Sequence, residues 1–198
     1  MLSPIEREQY LIGHIPYRLQ LLRLCHYLCS RRLMPDPIWG LELPIGVALM
    51  LDRNDSLDNP ILESGLIYCR VLLEFLGIKL KTRTGQLSEI KGKKNGDDVF
   101  ITDFDLKPIS VAQATGTFLC ASPPVVAAAL VNVIENANKT VAHLTSGPNP
   151  PATYPCLKLA CLVVTNLVHR HVYLALGEEP LVLPIDDHET TIPPRKPS

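Results

Sequence analysis

The stretch ILESGLIYCRVLLEFL, residues 61–76, decides the fold class because its apolar residues repeat at the spacing of a helix. Asn59 followed by Pro60 is typical of a helix start. The pattern therefore predicts a helix over residues 60–79. Its apolar residues step by four, three, four and three positions and share one helical face: Leu62, Leu66, Cys69, Leu73 and Leu76.

A charged line follows another face of the same helix. Glu63, Arg70 and Glu74 are separated by seven and four positions, which aligns them along the helix axis. One interpretation is an exposed ladder of ion pairs, each worth about 0.3 kcal/mol. The other is a functional site in which Arg70 supplies a cation and Glu63 braces it.

Three further segments show helical periodicity. Residues 4–33 carry an apolar stripe that Pro16 interrupts, so either the helix kinks there or a short piece precedes a longer helix. Another helix begins at Pro123, after the capping residue Ser122. Residues 156–177 form the last long helix.

The remaining segments are predicted to be connectors. Residues 34–55 are rich in proline and irregular, with a short helix in PIGVALMLDR. Residues 80–97 form a basic, mobile loop, and residues 98–104 a short extended piece without a partner strand. Residues 108–120 form a short helix that ends near a glycine.

Together these segments predict an all-α fold, an up-and-down helical bundle of four to five main helices. A single domain covers residues 1–177. Residues 178–198 are rich in proline and have no helical period, so we expect a tail that is extended over the surface or disordered.

Composition narrows the function classes only slightly. The chain has 198 residues and a net charge of −1, which provides no global attraction to nucleic acid or membrane. No apolar run reaches membrane-spanning length, so we expect no membrane partner. We predict no DNA partner either. A local excess of lysine and arginine over residues 79–94 is either a solvated loop or a patch for an anionic partner.

The cysteine pattern indicates a reducing compartment. The six cysteines form no CxxC pair, and we expect buried thiols in a cytoplasmic protein. Cys25, His26 and Cys29 share one helix, but no second ligand pair accompanies them, so we predict no metal site and no cofactor. His26 lies on the apolar stripe and is interpreted as a hydrogen-bonded core histidine.

A polar line interrupts the apolar helix that begins at Pro123. It consists of Asn132, Asn136, Lys139 and His143, which step by four, three and four positions. Amides and a lysine on one face can hold an anion, and a histidine beside them can transfer a proton near neutral pH. The alternative is an interface, or a buried polar network against which another helix packs.

Two stretches resemble HEPN-type proteins, a family of nucleotide-binding helical domains. The first is ESGLIYCRVLLEFL, residues 63–76, which resembles the early helix of the family in Glu63, Arg70, Phe75 and Leu76. The second is ANKTVAHLT, residues 137–145, which is similar to the later helix that carries an arginine, an asparagine directly after it, and a histidine further on. His143 matches the histidine and Asn138 the asparagine, whereas Ala137 occupies the arginine position.

The resemblance implies a HEPN-like bundle that forms a homodimer and acts on RNA without a metal. Two hypotheses follow. In the first, the chain is a non-catalytic module of a bacterial defence or toxin–antitoxin system that acts by homodimerising or by binding a protein or RNA partner. In the second, it is a metal-independent endoribonuclease. There His143 is the general acid and base, Arg70 or Lys139 supplies the cation, and Asn136, Asn138 and Glu63 complete the site.

Overall fold

The computed structural model describes residues 2–33, 41–42, 48–49, 55–81, 83–90, 98–116, 118, 120–140 and 153–185. Most of these residues are helical. The α-helices are α1 (Pro4–Gln9), α2 (Ile15–Arg32), α3 (Asp55–Leu76), α4 (Val111–Gly116), α5 (Pro123–Thr140), α6 (Thr153–Val168) and α7 (Leu174–Leu176). The strands are β1 (Leu41–Glu42), β2 (Ala48–Leu49), β3 (Ile78–Lys81) and β4 (Gln86–Glu89). The prediction of an all-α fold is confirmed at this general level.

The first helical segment contains a π-helical turn, Tyr10–His14, between α1 and α2. Ser3 caps α1, because its hydroxyl accepts a bond from the Glu6 N–H while the Glu6 carboxylate accepts from the Ser3 N–H. Pro16 is the second residue of α2 and has no N–H to donate to the preceding turn. The interruption that Pro16 predicts is therefore a widened turn within a continuous helical segment.

Helix α3 begins earlier than the sequence pattern predicts. It starts at Asp55, so Pro60 lies inside the helix instead of beginning it. The proline removes one main-chain hydrogen bond near the start, where the loss is tolerated more easily than in mid-helix. Gly77 ends the helix with a φ of 101°, and a Cβ at this position would lie 2.7 Å from the Pro108 Cβ.

The prediction of a basic loop over residues 80–97 is wrong for the first half of that range. Strands β3 and β4 form an antiparallel hairpin in which Ile78 pairs with Glu89 and Lys81 with Gln86. Gly85 occupies the turn with a φ of 62°. The hairpin escaped prediction because its strands are short and mostly polar on the exposed side. Residues 91–97 lie outside the described residues.

Two other connector predictions are corrected. The residues of β2 pair with β1 as an antiparallel strand, so this part of PIGVALMLDR is not helical. Residues Ile101–Phe104 form a 3₁₀ turn instead of an extended piece. The Asp103 carboxylate accepts a 2.9 Å hydrogen bond from the Phe100 N–H at its start. Helix α4 lies within the predicted short helix and ends at Gly116, as expected.

Four long helices bury a common core. Helix α2 packs against α3 and α6, and α5 packs against the same two helices. The apolar stripe predicted for α3 is buried as expected, with none of its five residues more than 2% exposed. On α5, Val126, Leu130 and Val133 are fully buried. This core fixes which faces of α2 and α3 remain at the surface.

Buried thiols form part of this core. None of the six cysteines is in a disulfide bond, and the predicted burial is confirmed for Cys25, Cys29, Cys69 and Cys161. Cys120 is exposed and Cys156 half-buried, which corrects the prediction for these two. The sulfurs of Cys69 and Cys161 lie 3.9 Å apart. Within the described ranges, no group of three or more histidine, cysteine or acidic side chains is arranged to hold a metal ion.

Residues 178–185 follow α7 without helix or strand and lie against α2 and α6. Val182 and Ile185 are buried, 7% and 3% exposed. The Arg23 guanidinium donates a 2.6 Å hydrogen bond to the Leu183 carbonyl oxygen, and the Asn166 amide donates one of 3.3 Å to the Ile185 carbonyl oxygen. The first part of the predicted tail is therefore anchored to the core, and residues 186–198 lie outside the described residues.

In the part of the chain that the structure describes, one helical stretch meets the length and composition of a membrane span. It is Tyr154–Leu176, with 23 residues and a mean hydropathy of 1.4 over its best window. The expectation that no apolar run reaches this length is therefore wrong. More than half of that window, 56%, is buried inside the protein, and a helix at the centre of a packed core passes the same test.

Candidate functional site

A cavity of about 510 Å³ opens where the first helical segment, α3 and the β-hairpin meet. The π-helical turn supplies Tyr10 and His14 to its wall, and the start of α2 supplies Arg18. Helix α3 supplies Arg70 and Glu74. Further lining residues come from the rest of these elements and from two segments beside the hairpin: Ile15, Val71, Leu72, Phe75, Lys79, Ile90, Asp98, Val99 and Phe100. We call this cavity the Arg70 cleft.

Three cations and two carboxylates line the Arg70 cleft. The cations Arg18, Arg70 and Lys79 come from three different elements, whereas Glu74 and Asp98 are the acidic residues. The Arg70 Nε donates to the Glu74 carboxylate at 3.1 Å. The balance of these five groups is one positive charge, in a cavity with partly apolar walls. Such a site attracts anions more strongly than the overall charge of −1 indicates.

Arg18 is held by two contacts at the edge of the cleft. Its Nη1 donates a 2.7 Å hydrogen bond to the His14 carbonyl oxygen. Its guanidinium carbon lies 5.6 Å from the centre of the Tyr68 ring, a cation–π distance. Both contacts restrict the long side chain, so less conformational entropy is lost when Arg18 binds an anion.

Aromatic rings line the same wall. The rings of Tyr10 and His14 are 4.7 Å apart and tilted by 38°. Tyr10 also meets Phe104 edge-on at 6.4 Å, and Phe104 meets Phe75 in the same way at 5.8 Å. Tyr10 and Phe100 remain partly exposed, so a flat ligand group can stack on them, whereas Phe75 and Phe104 are buried supports.

The π-helical turn gives this wall its shape. π-Helical turns are rare and occur often at functional sites, because the wider turn changes the direction of side chains. A second π-helical turn, His169–Tyr173, follows α6. Tyr173 from this turn donates a 2.8 Å hydrogen bond to the Leu11 carbonyl oxygen in the first. Burial of Tyr173 raises the pKa of its hydroxyl to about 12, so it remains a donor at neutral pH.

The structure separates the residues that the sequence grouped together on α3. Arg70 lines the cleft and contacts Glu74, as the ion-pair interpretation predicts. Glu63 is exposed two turns earlier, and no described contact joins it to Arg70 or to the cleft. The bracing role of Glu63 therefore stays a prediction that no contact among the described residues supports.

The polar line on α5 lies away from the Arg70 cleft in the part of the helix that the structure describes. The Asn136 amide donates to the main-chain oxygen and the side-chain oxygen of Asn132, at 2.8 and 3.0 Å. Asn138 is half-buried and Lys139 is exposed. His143 lies outside the described residues. Neither Asn136 nor Asn138 nor Lys139 is among the described residues that line the cleft.

Ala137 faces the core. Only 4% of its surface is exposed, and it belongs to the same buried cluster as Val133. This is the position at which the resemblance to HEPN-type proteins would place an arginine. A buried alanine there supplies no charge to a reacting phosphate.

The described histidines outside the cleft are buried or partly buried. His26 is 6% exposed, and its Nε2 has no hydrogen-bond partner among the described residues. The expected burial is confirmed, and the expected hydrogen bond at Nε2 is not found. Burial, with smaller contributions from Lys158 and Arg23, lowers the pKa of His26 to about 4. Burial also lowers the pKa of His169 and of His171.

Sequence reasoning missed most of the cleft. It identified Arg70, and it recorded Lys79 only as the first residue of a basic segment. Tyr10, His14 and Arg18 carry no motif, and only the π-helical turn brings them to the same wall. Comparison with protein-family models, with curated proteins and with solved structures gives no match for this chain.

Proposed function

We propose that the protein is a non-catalytic helical module, an up-and-down bundle of HEPN-like type, that binds a segment of single-stranded RNA in the Arg70 cleft. One observation carries the proposal: three cations from three elements and two partly exposed aromatic rings line a single open cavity. Proteins that bind single strands combine cations that follow the phosphates with rings on which bases stack.

The chemistry of the lining residues fits this ligand. The planar guanidinium groups of Arg70 and Arg18 match phosphate geometry, and Lys79 adds a third contact at the hairpin. Lys81 is two residues further along β3 on the same face as Lys79, so the positive surface extends beyond the cleft. A strand longer than one nucleotide can follow this line.

Two features support a binding role over catalysis. The motif position for an arginine is occupied by the buried Ala137. The proposed ligand contacts are also made by groups that hold charge without transferring protons, since arginine stays protonated at all physiological pH values. An endoribonuclease that uses His143 remains the alternative prediction, and formation of a homodimer remains a prediction as well.

The experiment is a titration of fluorescently labelled oligo(U) with purified protein, followed by anisotropy. Arg70→Gln is expected to weaken binding about tenfold, since a charge-assisted contact contributes about 1.5 kcal/mol. Arg170→Gln is the matched control, because Arg170 is exposed and does not line the cleft. Equal affinity of the wild type and Arg70→Gln, or no binding by the wild type, contradicts the proposal.

Cleavage is tested in the same preparation. Unlabelled RNA is incubated with the wild type and with His143→Ala in the presence of EDTA. The proposed function predicts intact RNA in both samples. Cleavage by the wild type and not by His143→Ala establishes the endoribonuclease alternative instead.

A further inference from the structure

Glu74 lines the Arg70 cleft and forms an ion pair with Arg70, the cation that the ligand is proposed to contact. The Arg70 Nε lies 3.1 Å from the Glu74 Oε1, and each side chain is 40% exposed. Both residues line the cleft. The two Nη groups of Arg70 contact no acceptor among the described residues. The guanidinium therefore has one edge paired with the carboxylate and one edge available.

The position of Glu74 is unfavourable for the helix itself. Glu74 lies in the last turn of α3, which ends at Leu76, and a negative charge there opposes the helix dipole. In this pair Arg70 comes four positions before Glu74. Ion pairs at this spacing stabilise a helix less in this order than when the acidic residue comes first. Helix stability thus gives little reason for an acidic residue at this position.

The Glu74 carboxylate does not affect the three cations of the cleft equally. Arg18 is held by the His14 carbonyl oxygen and the Tyr68 ring, neither of which carries a negative charge. Lys79 has no described ion pair. Glu74 therefore neutralises Arg70 alone. A ligand with a single phosphate at Arg70 competes directly with the carboxylate, whereas a strand with several phosphates also gains contacts at Arg18 and Lys79.

We propose that Glu74 is an affinity-setting residue: its carboxylate competes with the ligand phosphate for Arg70, so that tight binding requires further phosphate contacts at Arg18 and Lys79. This inference rests on the proposed function, because it assumes that Arg70 contacts the ligand. When a strand binds, its phosphate takes the place of the Glu74 carboxylate at Arg70. When the strand leaves, the ion pair forms again.

The test compares Glu74→Gln with the wild type in the oligo(U) titration. The amide keeps the shape of the side chain and removes its charge, so affinity is expected to rise roughly three- to fivefold, the range for a half-exposed ion pair. Glu63→Gln makes the same change on an exposed position of the same helix outside the cleft and is expected to leave affinity unchanged.

A double-mutant cycle separates competition for Arg70 from a general loss of negative charge. In the Arg70→Gln background, Glu74→Gln is expected to have no effect on affinity, because there is no cation to release. A gain of the same size in both backgrounds overturns the inference. So does an equal gain in Glu63→Gln, or a Glu74→Gln variant with the affinity of the wild type.

Competition with unlabelled ligands tests the phosphate count. Inorganic phosphate and uridine monophosphate are expected to displace labelled oligo(U) at least a hundredfold less well than unlabelled oligo(U). Displacement by inorganic phosphate at the same concentration overturns the requirement for several phosphates. Failure of the wild type and of Glu74→Gln to bind any RNA contradicts the proposed function, whereas wild-type binding that Glu74→Gln leaves unchanged contradicts only the role of Glu74.

Discussion

The hydroxyl of Tyr173 donates a 2.8 Å hydrogen bond to the main-chain carbonyl oxygen of Leu11. Each residue belongs to a π-helical turn, one before α2 and one after α6, so the bond joins these two turns. Tyr173 is 2% exposed. Because Leu11 follows Tyr10, this buried contact supports the aromatic wall of the Arg70 cleft from behind.

Removing this bond is expected to destabilise the protein. Tyr173→Phe leaves the Leu11 carbonyl oxygen without its buried donor, at a cost of about 1 to 2 kcal/mol in the free energy of unfolding. Denaturant unfolding measures the cost. Tyr27→Phe removes a hydroxyl at the surface and serves as the control, since Tyr27 is 43% exposed. Equal stability of the two variants contradicts the importance of the bond.

The free energy of unfolding is expected to fall as the pH drops below 6.5. Burial lowers the pKa of His26 from 6.5 to about 4, and Lys158 on α6 and Arg23 on α2 add to the shift. Below pH 6.5 the unfolded chain binds a proton at His26 that the folded protein does not. The stabilisation that comes from keeping His26 neutral is complete above pH 6.5 and is lost as the pH falls to about 4. This loss amounts to roughly 3 kcal/mol in the free energy of unfolding.

Denaturant unfolding at a series of pH values measures this loss. His26→Leu is expected to flatten the pH dependence of the free energy of unfolding between pH 6.5 and 4. A His26→Leu variant with the full wild-type slope shows that other groups control the acid instability.

Thiol reactivity is expected to divide the cysteines into two classes. Cys120 is exposed and Cys156 half-buried, so both should react with Ellman's reagent in the native protein. The hydrogen bond with the Cys161 thiol raises the pKa of the Cys25 thiol well above its usual value, and burial adds to this shift. Burial raises the pKa of the Cys161 thiol in the same direction, and the hydrogen bond with Cys25 raises that of the Cys29 thiol. These three and the buried Cys69 should react only after denaturation. Fast reaction of more than two thiols in the native state contradicts the described core.

Gly65 is expected to be essential for the contact between α2 and α3. A Cβ at this position overlaps the Cys25 sulfur, so Gly65→Ala requires the buried Cys25 side chain or the helix that carries it to shift. We expect a loss of about 2 kcal/mol in the free energy of unfolding. Cys25→Ala removes the obstructing sulfur. In the Cys25→Ala background, Gly65→Ala should therefore lower the free energy of unfolding by less than it does in the wild type. An equal loss in both backgrounds places the cause elsewhere.

Sequence patterns predicted the long helices because apolar periodicity extends over many turns there. The stripe from Leu62 to Leu76 marks the buried face of α3, and Val126, Leu130 and Val133 mark that of α5. The hairpin and the early start of α3 were missed for local reasons. Two strands of four residues carry little periodicity, and a proline such as Pro60 looks the same at a helix start as shortly after it.

The candidate site was less predictable because it depends on packing between distant segments. Arg70 was identified from its line of charges, yet its neighbours Tyr10 and Arg18 come 60 and 52 positions earlier in the sequence. Nothing in a single sequence indicates that a π-helical turn brings Tyr10 and His14 to the same wall. Conversely, the polar line on α5 was conspicuous in sequence but lies outside the cleft in its described part.

The salt dependence of RNA binding tests the central claim most directly, because each phosphate contact contributes about 0.7 to the slope of log K against log salt concentration for a single strand. Oligo(U) affinity is measured at several salt concentrations for the wild type, Arg70→Gln, Lys79→Gln and the control Arg170→Gln. We predict that the slope falls by about 0.7 in each of the two cleft variants and is unchanged in the control. Equal slopes in all four proteins would contradict RNA binding in the Arg70 cleft.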